Sequence, residues 1–217
     1  MDHLKSLIDE NTAAILVNNP SNPCGSVYSK SHLKDIIDIA EENFLPIIAD
    51  EIYGNMVFKG HEFIPMASLT QNVPIISCSG LAKQYLVPGW RVGWILIYDR
   101  ENRLKEVAAG MKKLAMIILS TCTVMQAAIP DIIKNTPADF MTKTMAQLEE
   151  NANLVKDYLL NSPGLEPIVP QGTLYLMAKI NSSSYRDIKC DIDFMEKLLQ
   201  EEAVMCLPGT VSSIFIS

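Results

Sequence analysis

Four segments of this chain are apolar without alternation, and that continuity constrains the fold more than any other feature. They are Ala13–Val17, Pro46–Asp50, Pro74–Cys78 and Val92–Tyr98. A strand with one face in water alternates apolar and polar residues. A continuous run is expected where helices cover both faces of a parallel sheet. Between the first two runs lies a loop rich in proline, asparagine and glycine, from Asn18 to Ser26. Leu33, Ile36, Ile37, Ile39 and Ala40 then recur at helical spacing, with Ser29 or Ser31 available as the cap. Strand, helix, strand in that order predicts a right-handed βαβ unit.

The second half has a different pattern. Residues 102–119 and 121–135 read as helices, the latter kinked or interrupted by Pro130. Asn135-Thr136-Pro137 is a break, with Thr136 placed to cap a long helix reaching about Leu160. Ser162-Pro163-Gly164 ends that helix; a strand near Thr173–Ile180 and a helix near Ile192–Glu202 follow. The change of pattern divides the chain near Pro137, into residues 1–136 and 137–217.

Composition removes several function classes. A net charge of -7 leaves no basic stripe to neutralise phosphates, so nucleic-acid binding is not expected. Cys24, Cys78, Cys122, Cys190 and Cys206 form no CxxC pair and are odd in number, which fits reduced thiols in the cytoplasm. His3, His32 and His61 cluster neither with one another nor with cysteines, so no zinc site is expected. The apolar run around Leu114–Met125 is too short to span a bilayer, and the N-terminal residues lack the apolar stretch of a signal peptide. The expectation is a soluble, cytoplasmic protein with no membrane partner, a mitochondrial setting staying open as the alternative.

Polar residues that carry chemistry fall at the carboxyl ends of the strand candidates, where open α/β sheets gather ligands. Asn22 lies in Asn19-Pro20-Ser21-Asn22-Pro23-Cys24-Gly25, after the first strand. Asp50 closes the second strand and Tyr53 follows it. Lys83 ends Ser79-Gly80-Leu81-Ala82-Lys83, and Arg91 lies in Val87-Pro88-Gly89-Trp90-Arg91-Val92-Gly93-Trp94. Taken singly, each has a plain alternative: a strand-end acid, a core tyrosine, a simple turn, a solvated amine. Their succession on adjacent strand ends favours a site. Cys24 has no histidine near it in sequence, so packing suits it better than nucleophilic attack.

The strings Val17–Gly25, Ala49–Gly54 and Gly80–Trp94 resemble the class I aminotransferases, pyridoxal-phosphate enzymes of fold type I, and closely those members that act on tyrosine. The resemblance runs from about Leu7 to Leu207. It implies part of a large cofactor-binding domain (mostly parallel sheet with flanking helices) over residues 1–136, and part of a smaller α+β domain over 137–217. It implies transamination between tyrosine and 2-oxoglutarate, with an amino acid and a 2-oxo acid as substrates and a homodimer as the assembly. Site roles follow from it residue by residue. Lys83 forms the Schiff base with pyridoxal phosphate and shuttles the proton, and Asp50 holds the pyridine nitrogen. Asn22 and Tyr53 hold the ring's phenolic oxygen, and Arg91 binds the phosphate. Many relatives carry a serine where this chain has Gly80; Ser79 or Ser77 is then the substitute phosphate ligand.

Family members are also longer. They carry an N-terminal portion with phosphate-loop groups, a ring stacked on the cofactor and part of the dimer contact, and an arginine near the C-terminus for the substrate carboxylate. No arginine follows Arg186 here, and Val211–Ser217 departs from the family pattern. A charge-assisted hydrogen bond is worth about 1.5–3 kcal/mol, so a chain shortened at both ends is expected to be weak or inactive alone. Two other readings stay open: a non-catalytic shortened form that binds a full-length partner, and another fold type I enzyme such as a lyase. A nucleotide-binding α/β domain is disfavoured, since no GxGxxG or P-loop lysine follows any strand.

Overall fold

The computed structural model describes residues 1–210, so the terminal string Val211–Ser217 lies outside the described residues. The first half holds helix α1 (Asp2–Leu7), strand β1 (Ile15–Asn18), helix α2 (Lys30–Glu42), strand β2 (Ile47–Asp50), strand β3 (Ile75–Gly80), the single turn α3 (Leu81–Gln84) and strand β4 (Gly93–Tyr98). The second half holds α4 (Lys105–Ile117), α5 (Thr123–Asn135), α6 (Phe140–Leu160), β5 (Leu165–Ile168), β6 (Met177–Ile180) and α7 (Asp191–Glu202).

The strands β1-β2-β3-β4 form one sheet in sequence order. β1, β2 and β3 run parallel, with Asn18, Asp50 and Cys78 in register at their carboxyl ends. β4 runs antiparallel to β3. The reason lies in the connection: residues 81–92 contain only one helical turn and a short 3-10 turn at Pro88–Trp90, too little for a crossover. Gly80 and Gly93 pair at the start of this hairpin. A Cβ on Gly80 would meet the Val92 carbonyl oxygen at 2.6 Å, so the close return of the chain depends on glycine there.

Ser29 is the residue that caps α2; its hydroxyl accepts from the His32 N–H at 3.2 Å. The apolar stripe Leu33, Ile36, Ile37, Ile39 and Ala40 is buried against Ile15, Val17, Ile47, Ala49 and Ile75. Each such aliphatic side chain stabilises the fold by about 1.5–3 kcal/mol. The expectation that helices cover both sheet faces is not met among the described residues. Leu16 is 67% exposed, and Ile95, Leu96, Ile97 and Tyr98 of β4 are exposed as well. A four-residue apolar run reads alike whether one face or two is covered, which is why the sequence pattern overstated the packing.

Three local expectations also change. α5 continues through Pro130, because proline removes one ladder bond while the turns on either side keep theirs. Thr136 does not begin α6; its hydroxyl donates to the Ile132 carbonyl at 2.6 Å and closes α5, and Asp139 stands at the N-cap of α6. The strand expected over Thr173–Ile180 shortens to β6 and pairs antiparallel with β5, which the sequence reading missed. No helix of the described residues is long and apolar enough to cross a membrane.

Candidate active site at the strand ends

Strand alternation sends the two carboxylates of Asp50-Glu51 to different places. Asp50 lies in register with Asn18 and Cys78. The Asn18 carboxamide donates to Asp50 Oδ2 at 3.1 Å, and the Ile52 N–H donates to Oδ1 at 3.3 Å. Asn18 Oδ1 also accepts from the Asn22 backbone N–H at 2.6 Å, tying the asparagine loop to the acid. Two peptide bonds in that loop, Asn19–Pro20 and Asn22–Pro23, are cis. Glu51 instead turns into the core. It accepts from Ser77 Oγ at 2.6 Å and from the Met66 N–H at 2.7 Å, which satisfies the buried carboxylate with two donors.

Tyr53 is buried at 3% exposure, and its phenol oxygen is 2.8 Å from that of Tyr175. Burial, then the hydrogen bond with Tyr175 and the negative charges around it, Asp50 included, push the Tyr53 phenol well above the usual tyrosine range. It is a protonated donor at any physiological pH. The two rings meet edge to face at 5.7 Å between centroids. Burial and the charges of Asp50 and Glu51 likewise hold the Cys78 thiol protonated, which removes it as a nucleophile.

Lys83 projects from α3, which begins where β3 ends; Leu81, fully buried, anchors the turn, and its N–H donates to the Val92 carbonyl at 3.1 Å. Lys83 Nζ donates to Tyr175 Oη at 3.4 Å and stands over the Tyr53 and Tyr175 rings at 5.5 and 5.9 Å. Structure therefore joins Tyr53 to Lys83 through Tyr175, and Asn22 to Asp50 through Asn18. Arg91 stands apart from these two groups. It is exposed, adopts a left-handed φ of 52°, and its Nη1 donates to the Pro88 carbonyl at 3.1 Å. Of the two candidate serines, Ser77 is committed to Glu51, whereas Ser79 Oγ accepts from Gln84 Nε2 at 3.4 Å and keeps its own proton to donate. Cys24 Sγ lies 3.3 Å from Ser21 Oγ inside the asparagine loop, a local packing contact.

Three residues of this arrangement escaped the sequence reading. Asn18 had a signal, since it closes the first strand as Asp50 closes the second. Glu51 and Tyr175 had none: the partners that define them are 26 and 92 residues away, Ser77 and Lys83 respectively.

The family profile described as Aminotransferase class I and II matches residues 1–214. The chain is 49% identical over 211 residues to tyrosine aminotransferase of Mus musculus, covering 97% of this chain and 46% of that protein. It is 48% identical to tyrosine aminotransferase of Dictyostelium discoideum, covering 99% of this chain and 52% of that protein. Among solved structures, tyrosine aminotransferase from Leishmania infantum superposes with a TM-score of 0.92 at 37% identity, covering 97% of this chain and 52% of that one. Alanine aminotransferase from Pyrococcus furiosus gives 0.86, also at 37% identity. The chain thus spans about half the length of the relatives it matches. With its mixed sheet, its flanking helices and a lysine at the end of β3, it belongs to the class I and II aminotransferase family, with the fold type I architecture.

Proposed function

We propose that this chain carries the lysine-bearing part of an aminotransferase site that moves the amino group of tyrosine, or a related aromatic amino acid, to 2-oxoglutarate, giving 4-hydroxyphenylpyruvate and glutamate. One observation carries the reading: Lys83 Nζ stands against two tyrosines at the carboxyl end of the parallel strands, beside the strand that ends in Asp50. The similarity to tyrosine aminotransferases supports the choice of substrate.

Pyridoxal phosphate is the family's cofactor, and the donor set here suits it. A carboxylate, a protonated phenol, a carboxamide, an amine and an exposed guanidinium stand on successive strand-end segments, as a cationic ring, a phenolic oxygen, an aldehyde and a phosphate require. When bound, the cofactor supplies an aldehyde carbon that bonds amines and a ring that accepts the electron pair left at the substrate Cα. In this reading Asp50, held in place by Asn18, keeps the proton on the ring nitrogen. Tyr53 donates its phenol proton to the ring oxygen, and Asn22 donates from its carboxamide. Arg91 would give its guanidinium to the phosphate, and Ser79 a hydroxyl donor. Lys83 would hold the cofactor through its aldehyde carbon, and its amine would be the group to take a proton from the substrate Cα and return it. Scattered, unpaired cysteines support a cytoplasmic setting, and the family's homodimer is the proposed assembly.

The test mixes purified protein with pyridoxal phosphate, reduces with borohydride and maps peptides by mass. The cofactor is expected on the Lys83 peptide, with visible absorbance lost in Lys83→Ala. Undiminished absorbance in that variant would sink the assignment.

A further inference from the structure

The segment 170–175 is a strap laid across the loops that build the site. Gln171 N–H donates to the Gly25 carbonyl at 2.8 Å, and its side-chain oxygen accepts from the Val27 N–H at 2.8 Å. On the other side, Gln171 carbonyl accepts from the Phe58 N–H at 2.9 Å, and the Thr173 N–H donates to the Met56 carbonyl at 2.7 Å. Gly172 bridges to Val57, and a Cβ there would lie 2.3 Å from the Met56 carbonyl oxygen, so only glycine fits. Thr173 is fully buried at a left-handed φ of 65°, and its hydroxyl accepts from the Tyr175 N–H at 3.3 Å. A segment this tightly fastened, ending on one phenol, delivers that phenol to a fixed point. The point is 3.4 Å from Lys83 Nζ and 2.8 Å from Tyr53 Oη.

We propose that Tyr175 is a positioning residue for Lys83: its phenol oxygen is the resting acceptor for the lysine ammonium whenever that nitrogen is not bonded to cofactor. The proposal rests on the aminotransferase reading of Lys83. Donor chemistry fixes the direction of the bond between Lys83 and Tyr175. An ammonium only donates, so Tyr175 Oη must accept from Lys83. Tyr53 Oη, 2.8 Å from Tyr175 Oη, completes the group, and either hydroxyl of that pair can donate to the other. A neutral acceptor suits a lysine that must leave again, because a carboxylate at this place would hold it as an ion pair.

The test measures, in cofactor-free protein, how fast an amine-selective acylating reagent modifies Lys83, with exposed Lys134 as internal reference, read by peptide mass mapping. Tyr175→Phe keeps the ring against Tyr53 but removes the acceptor. We expect Lys83 modification to rise several-fold relative to Lys134 and pyridoxal phosphate to bind about tenfold more weakly, which is about 1.4 kcal/mol. Tyr53→Phe, which leaves the acceptor in place, should weaken cofactor binding without speeding modification. If Tyr175→Phe leaves both quantities within about twofold while Lys83→Ala abolishes the visible band, this inference fails and the site reading stands. If Lys83→Ala keeps the band, the site reading fails first. Should Tyr175→Phe not fold, the unaltered protein decides: a held Lys83 reacts several-fold more slowly than Lys134, and equal rates overturn the proposal.

Discussion

The sheet face under α2 and the stretch from β4 to α5 both carry large apolar side chains, yet the structure treats them in opposite ways. Leu33 and Ile47 have 0% exposure, whereas Ile117 is 76% and Leu119 85% exposed. Under α2 every apolar side chain meets a partner set at the complementary period, with the helical stripe lying on alternate strand positions. On α4 and α5 the same kinds of side chain have no such surface within reach among the described residues. Apolar composition supplies a tendency to be buried; a matching surface is what buries it. The site lies on the rim of the well-packed region, where β2 and β3 end, so its geometry inherits the rigidity of that core.

This contrast can be broken at its strong end first. Ile47→Ala removes side-chain atoms from a site with no room to relax and should lower stability by about 2–5 kcal/mol in urea unfolding. A loss below about 1 kcal/mol would mean that the α2 face is no better packed than the rest. Next comes the polar clamp beneath the site. Ser77→Ala leaves Glu51 Oε2 without its hydroxyl donor and should lower stability by about 1–3 kcal/mol in the same assay. If that change were silent, Glu51 would have another donor and the coupling of β2 to β3 below Asp50 would need revising. The weak end sharpens the contrast. Ile117→Ser changes an exposed position and should stay within about 0.5 kcal/mol of the parent. A larger loss would show that α4 is covered in solution.

Legibility followed the range of the interactions. The four strands of the main sheet and α2 were readable because their signals, an apolar run, a 3.6-residue stripe and a serine cap, act within about a dozen residues. Asn22, Asp50, Tyr53 and Lys83 were nameable because each ends a strand or follows one in a short distinctive string, and Arg91 because it lies in such a string just before β4. The direction of β4 was harder, since it depends on what residues 81–92 can physically cross. The role of Thr136 at the end of α5 was missed because the same hydroxyl is equally suited to closing one helix or opening the next.

By itself, then, the sequence determined which segments become the four strands of the main sheet, which polar residues stand at their ends, and the family those strings resemble; these depend on local periodicity and turn chemistry. Only the tertiary structure decided that Glu51 faces Ser77 inside the core, that Asn18 joins the asparagine loop to Asp50, and that Tyr175 reaches Lys83. Each of those contacts appears only when the fold brings distant backbone together, and no local preference of either residue encodes its partner.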